Sequence, residues 1–350
     1  MGEGTKTEWT SSDALRPRDL SQFGGQPQIA RELAIVLGAA KARAKLPDHL
    51  LFAGPPGLGK TTLANVVANE LDLPLLTTSG PAIERPGDLA AMISGITNAS
   101  VLFIDEIHRL GRQTEELLYP VMEDGALDLM SGDGPSARIL RLDTAPLVVI
   151  GATTQLGQLA APLRDRFGYL GRLVLYDDDA LARIVLRSAK LTDLEISDEA
   201  ARAVAMRSRG TPRVANALLR RVGDVAITEG ASTIDLALVD RALELFAIDE
   251  LGLDVLAITI LTVLCTQFNG GPTGVGTLAS AVGEAVITIE EVYEPFFMRK
   301  GLIARTKQGR VATPACYTHL GLEVPAKALA LSAQVPLDVP DSHGASLATS

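Results

Sequence analysis

The chain has 350 residues, 47% of them hydrophobic, and a formal net charge of −10 at pH 7. This length is sufficient for about two or three globular domains with sizeable cores. The acidic balance argues against a protein that coats nucleic acid over its whole surface, so any contact with DNA is expected to be local. The longest apolar run, at about residues 255–265, is shorter than the roughly 20 residues that cross a bilayer.

Two further features of the composition bear on where the protein works. The N-terminal segment is polar and lacks the apolar stretch of a secretory signal. Cys265 and Cys316 are the only cysteines in the sequence, and their spacing matches no metal site. Together these features predict a cytoplasmic protein.

The first predicted element with clear chemistry is a glycine-rich loop. It reads GPPGLGKT from Gly54 to Thr61, with a strand-like apolar run before it and helical spacing after it. In this order the glycines leave backbone N–H groups open to the oxygens of a triphosphate. Lys60 is expected to reach the β and γ phosphates, and Thr61 to hold Mg²⁺ through its hydroxyl.

Two later strand-like runs end in polar residues. The run SVLFID ends at Asp105, and Glu106 follows it. Ligands of open α/β sheets collect at the carboxyl ends of the strands. Asp105 is therefore expected to complete the Mg²⁺ site, and Glu106 to polarise the water that attacks the γ-phosphorus. The run LVVIGATT ends in Thr153 and Thr154, whose hydroxyls either sense the γ-phosphate or cap a turn.

The other elements follow from periodicity. Strand-like runs, the last of them GRLVLY at 171–176, alternate with helical runs over residues 15–176, which predicts an α/β fold with a parallel sheet. Within this stretch, residues 123–146 read as an inserted β-hairpin. Residues 177–249 read as four helices, two of them with Asp or Ser caps. Residues 250–322 continue with helical patterns and a second hairpin that turns at Gln308 and Gly309, and residues 323–350 read as a flexible tail.

The order of these motifs resembles that of AAA+ ATPases. Their sequences are similar to those of the RuvB family of bacterial Holliday junction branch migration motors. The segments that carry the likeness are LRPRDL, GPPGLGKTTLAN, TSGPAIE, LFIDEIHRL, YPVMED, PLRDRFG and RSRGTPR. They lie between about Leu15 and Leu322. The likeness implies a large AAA+ ATPase domain at 1–176 with a partner-binding hairpin at about 126–145, a helical lid at 177–249 and a winged-helix DNA-binding domain at 250–322.

The resemblance also implies a set of nucleotide contacts on the adenine, phosphate and lid sides. They are Leu15, Arg16, Gly57, Gly59, Lys60, Thr61, Thr62, Glu123, Asp124, Gly125, Arg166, Tyr176 and Arg213. The family usually has an aromatic residue at the position of Gly125, so only a backbone contact is expected there.

Two arginines are similar to residues that act in catalysis with Glu106 and Thr154. Arg166 matches the arginine finger that a neighbouring subunit inserts toward the γ-phosphate, and Arg213 matches a lid residue that touches the phosphates of its own subunit. A finger that acts in trans implies a ring, which by family analogy is a hexamer. The alternative for either arginine is a surface salt bridge.

Two hairpins are implied to bind partners. In the family the hairpin at 126–145 docks the RuvA protein through apolar tips, and Leu140 and Leu142 occupy those positions. The alternative is a hairpin folded onto its own core. In the later hairpin, Arg305, Lys307 and Arg310 flank the turn, where they are expected to grip DNA phosphates without reading bases.

Two positions depart from the family. Val286 and Gln155 stand where relatives usually carry arginine. Both departures concern DNA engagement and leave the motifs of the ATPase core unchanged.

We therefore predict an AAA+ ATP hydrolase that uses ATP and Mg²⁺ as a DNA translocase. It is expected to drive branch migration of Holliday junctions in recombination and DNA repair, with RuvA and, in the resolving complex, RuvC. Two alternatives remain open: a clamp-loader or initiator-type ATPase, and a nucleotide-gated scaffold with little turnover. Four intact residues count against the scaffold: Lys60, Asp105, Glu106 and Arg166. The two hairpins count against the loader.

Overall fold

The computed structural model describes residues 15–131, 138–326 and 328. The predicted tip of the first hairpin and nearly all of the predicted tail at 323–350 lie outside the described residues. The chain divides into two compact units between Ala242 and Leu243. Each unit has a hydrophobic core of its own.

The strands of the first unit are β1 (Leu50–Ala53), β2 (Leu75–Ser79), β3 (Ser100–Asp105), β4 (Ala126–Ser131), β5 (Arg138–Asp143), β6 (Leu147–Thr153) and β7 (Tyr169–Arg172). Five of them form a parallel sheet with the strand order β2-β3-β6-β1-β7, and β4 and β5 form a separate antiparallel hairpin. Strands β1, β3 and β6 are buried almost throughout, as expected for apolar strands covered on both faces. The α/β fold with a parallel sheet is thereby confirmed.

Helices flank this sheet and continue beyond it. They are α1 (Pro27–Ala42), α2 (Lys60–Leu71), α3 (Pro86–Ser94), α4 (Arg112–Asp124), α5 (Ala161–Arg164), α6 (Asp178–Leu191), α7 (Asp198–Met206), α8 (Pro212–Glu229) and α9 (Leu236–Leu245). The predicted run of four helices over 177–249 is confirmed as α6 to α9. Their two predicted caps are also confirmed: Asp177 accepts the N–H of Ala180 at 2.6 Å and Ser197 that of Ala200 at 3.2 Å.

Two details of the sheet differ from the prediction. The run GRLVLY was expected to be a strand, but β7 begins at Tyr169 and ends at Arg172. The chain leaves the sheet there, since the backbone N–H of Tyr176 is donated to the carbonyl of Gly210. Strand β2 was not predicted, because its sequence LLTTS is only partly buried and shows no apolar run.

The second unit combines helices with a two-stranded hairpin. Its elements are α10 (Val255–Thr266), α11 (Val275–Val282), α12 (Val286–Thr288), α13 (Glu294–Arg299), β8 (Ile303–Thr306), β9 (Gly309–Ala312) and α14 (Pro314–His319). A π-type turn, Ile289–Tyr293, joins α12 to α13. The core includes Leu261, Phe297 and Cys316, all nearly inaccessible to solvent.

The turn of the β8–β9 hairpin lies one residue earlier than predicted. Thr306 pairs with Gly309, so Lys307 and Gln308 form the turn. Gly309 belongs to the strand, with a φ of +140°. A Cβ at this position would collide with the backbone of Thr273, so the glycine serves a close backbone contact and not the turn itself.

Among the described residues, none of the helices is both long enough and apolar enough to span a lipid bilayer.

Candidate nucleotide-binding and catalytic site

A cleft of about 440 Å³ opens in the first unit between the loop before α2, the carboxyl end of β3 and the helices α6 and α8. Many of the predicted nucleotide contacts line it. They are Leu15, Arg16, Gly57, Gly59, Lys60, Thr61, Thr62, Tyr176 and Arg213, together with Asp105 and Glu106. The sequence motifs therefore converge on one cavity, although they are separated by up to about 200 positions along the chain.

The loop from Gly54 to Gly59 is shaped as a phosphate cradle. Gly57 and Gly59 have φ values of +79° and +101°, a region that L side chains rarely adopt. A Cβ on Gly57 would come within 2.7 Å of the side chain of Thr211, so a larger residue would close the cradle. Helix α2 starts at Lys60, and its N-terminal N–H groups favour an anion at this point.

Lys60 is buried, and its Nζ donates hydrogen bonds to the carbonyls of Gly54 at 2.8 Å and Pro55 at 3.1 Å. The ammonium group thus lies inside the curve of the loop. A triphosphate in the cradle would offer this cation stronger, charge-assisted hydrogen bonds than the neutral carbonyls provide.

The residues for Mg²⁺ also fit. Thr61 and Asp105 both line the cleft, and a hydroxyl and a carboxylate are oxygen ligands of the kind that Mg²⁺ binds. One oxygen of Asp105 accepts the N–H of Glu106 at 3.0 Å, which orients the carboxylate.

Glu106 stands at the end of β3 in an unusual backbone conformation. Its φ of +47° lies in the left-handed region, which is strained for a residue with a side chain. Its Oε2 accepts a hydrogen bond from the hydroxyl of Thr154 at 3.0 Å. The predicted base and the predicted sensor are thus in direct contact at the carboxyl ends of neighbouring strands.

Arg187 was not predicted, yet it anchors the segment at Leu15 and Arg16 beside the cleft. Its guanidinium donates to the carbonyl of Leu15 at 2.7 Å and to that of Arg16 at 3.3 Å. Burial lowers the pKa of Arg187, and the negative charge of Asp19 offsets part of this lowering. No motif marks this residue, because its role depends on contacts with a segment about 170 residues away.

The lid side is formed by one face of α8. Arg213, Asn216, Ala217 and Arg220 line the cleft and follow the i, i+3, i+4, i+7 spacing of one helical face. This spacing could have identified Asn216 and Arg220 from the predicted position of Arg213. The backbone N–H of Arg213 also approaches the carbonyl of Gly57 at 3.4 Å.

Tyr176 packs directly against the cradle. It is buried, and its hydroxyl donates to the carbonyl of Leu58 at 3.0 Å. Burial raises the pKa of the Tyr176 hydroxyl. The phenol therefore stays neutral and fixes the loop from the lid side.

Four predicted nucleotide contacts lie outside this cleft: Glu123, Asp124, Gly125 and Arg166. The guanidinium of Arg166 pairs with Glu123 at 3.0 Å and stacks over the ring of Tyr119 at 4.1 Å. Asp124 pairs with Arg141 at 2.5 Å. These four residues do not line the cleft of their own chain. The contacts expected of them stay predictions, and the contact expected of Arg166 is with the nucleotide of a neighbouring subunit.

The first hairpin, β4–β5, presents apolar side chains to solvent. Leu140 is 50% exposed and Leu142 37%, and Ile139 beside them is 71% exposed. Leu127, opposite Leu142 in the ladder, is buried. The base of the hairpin is thus held by the core, while the two predicted partner residues remain accessible.

In the second unit, the surroundings of Arg310 argue against the expectation that it grips DNA phosphates. Arg310 is 7% exposed, and its guanidinium binds Glu294 at 2.8 and 3.2 Å and Glu290 at 2.8 Å. Burial alone would lower the pKa of Arg310, but the bonds and charges of both carboxylates outweigh it and raise the pKa. Arg310 is therefore occupied within its own unit, whereas Arg305 and Lys307 are exposed.

Comparison with known proteins agrees with this arrangement. Residues 15–173 match the family model of the Holliday junction DNA helicase RuvB P-loop domain, residues 176–249 that of the RuvB AAA lid domain, and residues 250–321 that of the RuvB C-terminal winged helix domain. The chain is 52% identical over 312 residues to the Holliday junction branch migration complex subunit RuvB of Mycolicibacterium smegmatis, covering 89% of each chain.

Solved structures give the same result. The Thermotoga maritima RuvB Holliday junction branch migration motor is similar with a TM-score of 0.82 and 43% identity, over 89% of this chain and all of that one. A substituted variant of the same protein matches with a TM-score of 0.83 and 42% identity, again over 89% of this chain and 100% of that chain.

Proposed function

Because the chain belongs to the RuvB family of AAA+ ATPases, we propose that it is an ATP-dependent DNA translocase that drives branch migration of Holliday junctions. The observation that carries the proposal is the cleft that Lys60, Asp105 and Glu106 line together beside a glycine cradle with positive φ angles. A clamp loader or a scaffold would not require the exposed apolar hairpin and the exposed cations of the second unit as well.

The chemistry follows from the position of each side chain. Lys60 and the N-terminus of α2 bind the β and γ phosphates, and Glu106 accepts a proton from the attacking water. Thr154 fixes Glu106 through its hydrogen bond, and Arg213 contacts the phosphates from the lid. Mg²⁺, held by Thr61 and Asp105, supplies positive charge beside the transferred phosphoryl group when it is bound.

Assembly into a ring, by family analogy a hexamer, would complete this site. Arg166 does not line the cleft of its own chain, yet transition-state charge on the γ-phosphoryl group calls for a further cation, which is worth about 10³ to 10⁵ in rate. In a ring, Arg166 of one subunit reaches the nucleotide of the next, with Glu123 and Tyr119 holding it until then. Hydrolysis then depends on neighbouring subunits.

Two surfaces connect this ATPase to its work. The exposed Leu140 and Leu142 fit an apolar groove on RuvA, which places the motor on the junction and, with RuvC, in the resolving complex. Arg305 on β8 and Lys307 in the β8–β9 turn are exposed and contact duplex phosphates without reading bases. An acidic protein thereby engages DNA at a small basic site.

The test is ATP-dependent dissociation of a synthetic four-way junction, with and without RuvA from the same organism. We expect dissociation with ATP, Mg²⁺ and RuvA together, and none with a non-hydrolysable ATP analogue. A Lys60→Ala variant serves as the matched control, because it lacks the phosphate contact. If the protein hydrolyses ATP and binds RuvA but leaves the junction intact, the translocase proposal is wrong.

A further inference from the structure

His108 lies next to the proposed general base, and no motif assigned it a role. It belongs to the short helical turn that follows β3, and its side chain is 4% exposed. Its Nδ1 is 3.0 Å from the hydroxyl oxygen of Thr153 and 3.3 Å from Oε2 of Glu106. A buried imidazole therefore contacts the same carboxylate oxygen that accepts the hydroxyl of Thr154.

The surroundings of the imidazole indicate that its Nδ1 carries a hydrogen. An ionised carboxylate can only accept hydrogen bonds, so the contact between Nδ1 and Glu106 is attractive only when Nδ1 carries the hydrogen. The hydroxyl oxygen of Thr153 already accepts the backbone N–H of Gln155 at 3.0 Å, and it can share the hydrogen of Nδ1 as a second acceptor. One N–H group thus bridges Thr153 and Glu106.

We propose that His108 is a positioning residue that, with Thr154, locks the carboxylate of Glu106 for catalysis. Both contacts fall on Oε2, so the carboxylate cannot rotate without losing two hydrogen bonds, and Oε1 is the oxygen that takes the proton of the attacking water. The left-handed backbone of Glu106 is a conformation that persists only where surrounding contacts hold it. This inference rests on the proposed role of Glu106 as the general base.

Asparagine and glutamine at position 108 distinguish this role from simple packing. The amide nitrogen of asparagine lies one bond beyond Cγ, where Nδ1 of histidine lies. The amide nitrogen of glutamine reaches one bond further, near the position of Nε2. His108→Asn therefore keeps the donor that faces Glu106, whereas His108→Gln moves it, although glutamine fills more of the histidine volume.

The measurement is steady-state ATP hydrolysis, with the dissociation constant of a fluorescent ADP analogue determined for each variant. We expect His108→Ala and His108→Gln to lower kcat by about 10- to 100-fold, because displacing a catalytic group by about 1 Å can cost roughly 10² in rate. KM for ATP and the affinity for the ADP analogue should change less than about threefold, and His108→Asn should recover most of the lost kcat.

His49 provides the matched control. It is a partly buried histidine of the same unit whose ring accepts the N–H of Val149 and contacts the carbonyl of Met122, both at 3.0 Å, away from the cleft. His49→Asn should lower the melting temperature without lowering kcat at a temperature where the protein is folded. Loss of kcat in His108→Ala with full activity in this control separates positioning from a general loss of packing.

The outcomes also separate this inference from the function on which it rests. If Glu106→Gln keeps substantial turnover, Glu106 is not the base and both ideas fall. If Glu106→Gln is inactive while His108→Ala turns over normally, or if asparagine is no better than glutamine, only the role of His108 is overturned. If His108→Ala does not fold, the comparison of His108→Asn with His108→Gln still tests whether His108 positions Glu106.

Discussion

Glu106 is the residue on which the proposed chemistry depends most directly. Glu106→Gln keeps the size of the side chain and its contact with Thr154, but an amide cannot accept a proton from water at neutral pH. We expect the variant to bind Mg-ATP with near-native affinity and to lose about 10²- to 10⁴-fold in turnover, the usual contribution of a general base. Nucleotide titration and phosphate release measure the two quantities separately.

Arg305 and Arg310 face each other across the β8–β9 hairpin but have opposite surroundings. Arg310 is buried against two carboxylates, whereas the side chain of Arg305 is 59% exposed and 3.9 Å from Glu294. Arg310→Ala leaves buried carboxylate charge without its partner, so we expect the second unit to lose about 3–5 kcal/mol of stability. Denaturant unfolding, monitored by fluorescence, measures this loss.

The exposed cations Arg305 and Lys307 should instead affect the binding of DNA. Replacing Arg305 and Lys307 with alanine should leave the unfolding midpoint unchanged and weaken binding of duplex DNA about equally for all sequences. The slope of log K against log salt should fall by about 0.9 for each phosphate contact that is lost. If the double variant keeps both its affinity and its salt slope, this hairpin is not the DNA contact.

The difference between these arginines shows what the sequence can and cannot predict at single positions. Lys60, Asp105 and Glu106 were predicted because local order, strand then loop then helix, already places them at one edge of a sheet. The burial of Arg310 depends on Glu290 and Glu294, which the sequence shows only as nearby acidic residues. Charge counting along the chain cannot tell a paired cation from an exposed one.

Among the elements, the β4–β5 hairpin has an exposed apolar face for which a protein partner is proposed. Replacing Leu140 and Leu142 with aspartate should abolish RuvA binding, because a carboxylate cannot enter an apolar groove without several kcal/mol of desolvation cost. ATP hydrolysis in the absence of RuvA should be unchanged, since none of the described residues of the hairpin lines the cleft. Surface plasmon resonance with immobilised RuvA measures the binding.

A matched variant controls for the added charge. Ile35 on α1 and Ile227 on α8 are 72% and 50% exposed, so replacing both with aspartate adds the same charge on other apolar surface. RuvA should bind this control normally. Normal binding by the Leu140 and Leu142 variant would contradict the assigned surface, and loss of its nucleotide binding would show that the two leucines support the core.

Elements were predicted well where their sequence was strongly periodic and less well where tertiary contacts decide. The helices α6 and α7 follow from caps and apolar spacing, and α8 follows from apolar spacing alone. Strand β2 exists because it pairs with β3 in the register Ser79 to Asp105, although its own residues are half polar. The turn lies at Lys307 and Gln308, one residue earlier than predicted, because Gly309 must approach the backbone of Thr273 closely. These two residues are about 36 positions apart in the sequence.

For the whole molecule, the central question is whether one chain contains a complete active site. The described cleft has the cradle, Lys60, Asp105 and Glu106, but Arg166 lies elsewhere in the same unit. The domain boundaries at 176, 249 and 322 stay predictions, because the structure divides the chain only between Ala242 and Leu243. The placement of Arg166, by contrast, has a direct consequence for assembly.

Mixing two inactive variants tests whether the site is shared between subunits. Arg166→Ala subunits have an intact phosphate loop, and Lys60→Ala subunits have an intact finger, so some interfaces of a mixed ring pair both. ATP hydrolysis should therefore recover on mixing, although each variant alone is inactive. A mixture of Arg166→Ala with the Arg166→Ala, Lys60→Ala double variant is the control, and it should stay inactive because no interface contains a finger. Native mass spectrometry verifies that mixed rings form; absence of recovery in such rings would exclude a finger acting in trans.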